Sequence, residues 1–196
     1  MPETRRLILA STSAYRRQLL GRLGLAFECM SPEVNETPIP GETPAFTARR
    51  LATLKARSAT GRFPEALIIG SDQVAALGSR RLDKPRNRAN ALAQLRELSG
   101  KAAEFHTAVS LLDAPSAQLW TRVVPCRVRF RDISRAQIES YLDREQPFDC
   151  AGSAKSEGLG IALIAAIETE DPTSLIGLPL IALTELLAQA GMPVLG

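Results

Sequence analysis

The chain has 196 residues and a mass of 21.2 kDa, which suits one domain over 1–196 with a substantial buried core. Hydrophobic residues at 45% and charged residues at 23% exclude a disordered chain, and the uncharged run 172–184, interrupted by Gly177 and Pro179, is too short to cross a membrane. A net charge of +3 suggests an anionic partner but is too small to separate nucleotide from nucleic acid.

Arg5-Arg6 leads into only four apolar residues, Leu7 to Ala10, short of a secretory segment, so a cytoplasmic protein is expected. Cys29, Cys126 and Cys150 form no C-x-x-C pair and read as reduced thiols. His106 is the single imidazole, which excludes any two-histidine mechanism, and no G-x-S-x-G elbow is present.

In chain order, Leu7 to Ala10 reads as a strand. Ser11-Thr12-Ser13 offers caps for a helix from Ala14 to Leu23, stopped by Gly24. Ala26 to Met30 is a second expected strand, followed by a polar, proline-rich loop over 31–44. Thr43-Pro44 opens a helix to about Thr60. Ala66 to Gly70 is a buried-type strand ending at Ser71-Asp72-Gln73, with another strand through Leu77 and a loop to Pro85. Asn87 caps a helix to Leu98, and Lys101–Leu112 and Ala117–Arg131 form a long antiparallel pair. Ser134 with Gln137 makes a capping box for a helix to Arg144. Gly158 to Ile167 is expected as a strand, and Pro179 opens a last helix to Ala190, with Gly191 its stop. These elements predict the α/β class, a mixed sheet flanked by helices.

Four polar blocks interrupt this pattern. Ser11 to Arg17 sits between a strand and a helix N-terminus, where free N–H groups and hydroxyls favour a phosphate. It also reads as an ordinary cap beside solvated arginines. Glu33-Val34-Asn35-Glu36 supplies oxygen ligands suited to Mg²⁺ or Mn²⁺, or is a solvated acidic loop. Asp72, following a buried strand, could take a proton from water, or cap the strand end. Gly152 to Gly158 carries Lys155 and Glu157 in a turn-rich connection. Of the 24 cationic residues only Lys55, Lys84, Lys101 and Lys155 are lysines, and three of them lie in or just beyond such segments. A compact ammonium is the point charge that a phosphate site uses. Cations, acids and hydroxyls together suit phosphoanhydride cleavage.

At these residues the chain resembles the Maf family of nucleoside triphosphate pyrophosphatases. The resemblance rests on Leu9-Ala10-Ser11-Thr12-Ser13 with Arg16-Arg17, Glu33 to Glu36, Lys55-Ala56, Gly70 to Gln73, Lys84-Pro85, Leu98-Ser99-Gly100 and His106-Thr107. It continues through Gly152 to Gly158 and Asp171-Pro172 with Gly177-Leu178-Pro179. It implies a two-lobed Maf/ITPase-like fold with an elongated mixed sheet and a central cleft, and a cytoplasmic homodimer. The implied activity is cleavage of a nucleotide between its α and β phosphates with a divalent cation, Mg²⁺, Mn²⁺ or Co²⁺. By matched position, Asp72 would be the proton acceptor, Glu33 and Glu36 the metal ligands, and Ser11, Arg16, Lys55, Lys84 and Lys155 the phosphate-binding residues.

Ala14, Asn35 and Asp83 depart from the family pattern, Asn35 by removing a charge from the implied metal site. Tyr15, Gln73 and Glu157 are similar to the branch acting on 7-methyl-GTP. An aromatic face can stack on the cationic 7-methylguanine ring, and a carboxylate can accept from the guanine N1–H and 2-amino edge. The expected partner is thus a modified nucleoside triphosphate, with no membrane; dTTP, UTP or other noncanonical nucleotides are the sibling alternative. A nucleic-acid or cell-division binding role would rest on Arg80-Arg81 and the tract 127–131. There, arginines alternate with apolar residues as on a solvated strand face, and aromatics are only 5%.

Overall fold

The computed structural model describes residues 5–195, and residues 1–4 and 196 of the expected domain lie outside that description. The chain divides into two compact units. The first comprises the chain through Gln73, Thr107–Val124 and the part from Asp171 onward; the second comprises Val74–His106 and Pro125–Glu170. Seven strands form one sheet in the order β2-β1-β3-β5-β6-β7, with β4 on β3. These are β1 (Leu7–Ala10), β2 (Glu28–Met30), β3 (Leu67–Leu77), β4 (Arg80–Leu82), β5 (Ala102–Asp113), β6 (Gln118–Phe130) and β7 (Ile164–Thr169).

In the first unit β1 lies between β2 and β3, parallel to both, with Leu9 opposite Cys29 and Ile69. Each residue of β1 is buried because the pleat sends alternate side chains to two covered faces. Leu7 and Leu9 join Leu67 and Ile69 against Leu19 and Leu20 of α1 (Ala14–Gly21) and Leu183, Leu186 and Leu187 of α5 (Leu180–Gln189). Ile8, Ala10 and Ile68 face the other way, packing with Ala56, Ala59 and Phe63. Each fully buried Leu or Ile there contributes about 1.5–3 kcal/mol of transfer free energy.

Helix α2 (Pro44–Arg57) starts where Thr43 Oγ1 accepts from Phe46 N at 3.3 Å, with Pro44 in the first turn. Its buried stripe is Ala48, Leu51, Ala52, Lys55 and Ala56, so helical spacing puts one lysine in a core position. The stripe meets β3 at Gly70, where a side chain would collide with the Ala52 carbonyl and stand 2.5 Å from Ala56 N.

The second unit holds α3 (Arg88–Leu98) and α4 (Arg135–Glu145), which pack together. Asn87 caps α3, and Ser134 with Gln137 closes the expected capping box on α4. Strands β5 and β6 run antiparallel: Phe130 N donates to Lys101 O at 2.8 Å, and Ser110 and Thr121 hydroxyls meet at 2.9 Å, both pairs on one register. Strand β7 is antiparallel to β6, with Arg127 opposite Glu168. Arg127 and Arg129 of β6, and Arg131 just after it, are exposed and alternate with buried Cys126, Val128 and Phe130.

Several expectations are corrected. Strand β3 does not stop at Gly70 but runs unbroken to Leu77, so Asp72 lies inside a strand rather than after one. The polar triplet stays extended because tertiary partners satisfy Ser71, Asp72 and Gln73. The expected loop before Pro85 contains β4, antiparallel to β3 with Ala75 opposite Leu82. The expected strand from Gly158 begins instead as a 3₁₀ turn, Leu159–Leu163, and only then becomes β7. Gly160 sits so close to the Lys155 backbone that a β-carbon would lie 2.5 Å from its carbonyl oxygen, which holds the turn against that residue. Helix α1 and helix α2 also end earlier than expected, at Gly21 and Arg57.

Candidate active site

In β3 the pleat separates two tasks. Gly70 and Asp72 face α2, and Ser71 and Gln73 face the segment 174–177. Because Gly70 admits α2 so closely, Lys55 one turn further along reaches into the sheet. Its Nζ lies 2.7 Å from Asp72 Oδ1 and 2.8 Å from Glu36 Oε1. The lysine and aspartate side chains are 7% and 10% exposed, so the pair is buried and screened little by solvent, whereas Glu36 reaches in from the exposed loop.

That loop is tethered to α2. Arg50 donates Nε to Glu42 Oε1 at 2.7 Å and Nη2 to Glu42 Oε2 at 2.8 Å and Thr37 O at 3.3 Å. Donating to Glu42 raises the Arg50 guanidinium above its ordinary value, burial opposes it, and the charges of Glu42 and Asp72 add to the rise. Asn35 uses Oδ1 to accept from Thr37 N at 2.9 Å and so shapes the turn.

At the end of β1, Ser13 caps α1 by accepting from Arg16 N, and Ser11 Oγ accepts from Ser13 N at 3.1 Å. Arg16, half-buried, donates Nε to Gly177 O at 2.8 Å and approaches Ser11 Oγ with Nη1 at 3.5 Å. Burial pulls its guanidinium below the ordinary value, while the carboxylates of Asp72 and Glu36 work against that pull. Tyr15, also half-buried, occupies the first turn of α1. Gln73 spends its amide donors on Thr107 Oγ1, Ser174 O and Leu175 O, each at 3.0 Å.

The first unit therefore holds two polar groups, Lys55 with Asp72 and Glu36, and Arg16 with Ser11 and the 174–177 carbonyls that also take Gln73, with Arg16 feeling the charges of Asp72 and Glu36. Glu33 stands exposed on the loop. In the second unit Lys84 is exposed, while its neighbour Asp83 pairs with Arg81 at 2.8 Å. Lys155 is taken by Glu145 at 3.0 Å, a contact that raises the lysine, and its backbone N donates to Tyr141 Oη at 3.0 Å. Glu157 is exposed beside Ser156, whose hydroxyl lies 3.4 Å from it. His106 Nε2 lies 3.6 Å from Glu104. Sequence reasoning missed Arg50 and Glu42, eight residues apart with no motif to mark them. It noted Asp171 and Gly177 without a role.

A divalent cation is compatible with the donors present. Asp72 and Glu36 already share one cation, the Lys55 ammonium, so their oxygens converge as hard-cation ligands do. No group of three or more His, Cys, Asp or Glu converges among the described residues, so phosphate and water oxygens would complete the coordination. Asp72 would then stand beside Glu36 as a donor, in addition to the Glu33 and Glu36 expected from the sequence.

The profile of the family described as Maf-like protein matches residues 6–190. The 7-methyl-GTP pyrophosphatase of Thiobacillus denitrificans is 57% identical over 189 residues, covering 96% of this chain and 94% of that protein. The proteins of that name from Cupriavidus pinatubonensis and Methylobacillus flagellatus are each 53% identical. They cover 96% of this chain, and 94% and 98% of their own lengths.

Proposed function

The chain belongs to the Maf-like family, and on that premise we propose that it is a nucleoside triphosphate pyrophosphatase that hydrolyses 7-methyl-GTP to 7-methyl-GMP and diphosphate. The carrying observation is identity above 50%, over nearly the full length, to relatives of that name. The buried Lys55–Asp72 pair supplies fitting chemistry.

Asp72 accepts a proton from water as its oxygen bonds to the α-phosphorus. The bond from that phosphorus to the bridging oxygen breaks, and diphosphate leaves with the electron pair. Lys55, Arg16 and Ser11 hold the phosphates, with Lys84 and Lys155 as further cationic ligands. A triphosphate adds its negative charge where two carboxylates, Asp72 and Glu36, already face Lys55. A divalent ion, Mg²⁺, Mn²⁺ or Co²⁺, held by Glu36 and Asp72 with Glu33 nearby in sequence, would offset that charge. Lys55, drawn toward phosphate, releases Asp72 Oδ1 to receive the proton. Tyr15 stacks on the cationic base, and Glu157 accepts from its N1–H and 2-amino edge.

The reading extends to a cytoplasmic homodimer that needs neither membrane nor nucleic acid. No helix among the described residues is long and apolar enough to cross a membrane. The decisive assay is diphosphate release over 7-methyl-GTP, GTP, dTTP, UTP and other modified triphosphates, with each metal and with chelator. Preference for 7-methyl-GTP, lost in Asp72→Asn, is expected. A preference for dTTP or UTP selects the sibling activity, and full turnover by Asp72→Asn removes the base assignment.

A further inference from the structure

Three carbonyl oxygens within four residues, at Ser174, Leu175 and Gly177, serve as acceptors for the groups around Asp72. Gly177 O receives Arg16 Nε at 2.8 Å and Ser71 Oγ at 2.9 Å; Ser174 O receives Gln73 Nε2 at 3.0 Å and Thr107 Oγ1 at 2.9 Å; Leu175 O receives Gln73 Nε2 at 3.0 Å. Such acceptors orient a guanidinium or an amide only if the backbone bearing them is itself fixed.

The fixing group is Asp171, 2% exposed. Its Oδ1 accepts from Thr173 N at 3.1 Å and Thr173 Oγ1 at 2.6 Å, and its Oδ2 accepts from Ile181 N at 2.7 Å and Ala182 N at 3.3 Å. Thr173 Oγ1 in turn accepts from Leu180 N at 2.7 Å. Pro179, the residue before α5, has no side-chain acceptor, so the first N–H groups of that helix are satisfied by Asp171 and Thr173. One carboxylate therefore closes both ends of the 172–180 segment. Gly177, at φ +124°, makes the turn that a side chain would strain.

We propose that Asp171 is a positioning residue whose carboxylate sets the 174–177 carbonyls, and through them holds Arg16 for the triphosphate and Gln73 for the base. With its amide donors consumed, Gln73 keeps only Oε1 to offer a ligand. It therefore favours a base presenting an N–H there, as guanine does, over one presenting an acceptor. This inference rests on the pyrophosphatase reading for its substrate.

The test combines kinetics with an activity-independent signal. In Asp171→Asn, assayed well below its unfolding midpoint, kcat/KM for 7-methyl-GTP is expected to fall roughly ten- to hundredfold, mainly through KM. The fall should shrink in an Arg16→Ala background and vanish when Gln73→Ala is added to it. The Arg16 Nε–H resonance in a ¹⁵N spectrum, assigned through Arg16→Lys, should shift. Thr173→Val, which removes only the hydroxyl relay, should give the same changes in smaller degree and serves if Asp171→Asn does not fold. A lowered midpoint with unchanged kinetics and an unmoved Arg16 signal would reduce Asp171 to a helix cap, as would losses that simply add in the double variant. If the wild type itself releases no diphosphate, the substrate reading fails, and the resonance still decides the positioning.

Discussion

Gly70 on β3 and Ala56 on α2 meet backbone to backbone: a β-carbon on Gly70 would stand 2.5 Å from Ala56 N, less than real contacts allow. No flexible side chain lies there to give way. Gly70→Ala should push α2 from the sheet and cost about 1–3 kcal/mol. Because Lys55 rides on α2, diphosphate release should fall further than that stability loss explains. Urea titration of the variant beside its kcat measures both, and unchanged activity would show that Lys55 does not depend on this close packing.

Lys55 and Asp72 form a buried pair, so removing one partner strands the other. Lys55→Met should cost about 3–5 kcal/mol, and adding Asp72→Leu should recover a large part of that because an apolar pair needs no compensating charge. Glu36, being exposed, returns to water and contributes little to the loss. The double-mutant cycle, read from denaturant midpoints, contradicts the pairing if the losses merely add.

Glu145 gives a pH dependence of known sign. Donation from Leu159 N holds its carboxyl below the usual range, burial opposes this, and Lys155 adds to the lowering. The unfolded state then binds the proton first as pH falls. The stabilisation is complete above the ordinary Glu value of 4.5 and disappears as pH drops through the depressed native one. Unfolding free energies from about pH 7 to about pH 3 should converge for wild type and Glu145→Gln at the acid end. A constant gap would remove Glu145 from the acid response.

The thiols should react in order of exposure. Burial pushes the Cys126 thiol up to about 11, with a Thr169 hydrogen bond partly opposing, so it stays protonated near pH 8. Cys29 is exposed. A disulfide reagent with mass-spectrometric mapping should label Cys29 in the native protein and Cys126 only after denaturation. Rapid native labelling of Cys126 would contradict its burial.

Much of this protein is written locally. Ser13, Thr43, Asn87 and Ser134 each cap the helix that follows them, because a cap needs only a side-chain oxygen and the next turn's free N–H groups. The four apolar residues of β1 likewise announce a strand buried on both faces. The polar blocks at Ser11–Arg17, Glu33–Glu36 and Gly70–Gln73 marked where chemistry would sit, and the family resemblance supplied their roles.

The sequence by itself determined the helix starts, the α/β class and the residue types of the candidate site. Only the tertiary structure decided that β3 runs through Asp72 and that Lys55 points into the sheet. It also joined Arg50 to Glu42 and Asp171 to the segment that holds Arg16 and Gln73. A helix cap is complete within four residues, whereas a buried carboxylate in a strand needs partners that reach it from elsewhere in the chain. Here the partner is Lys55, seventeen residues away.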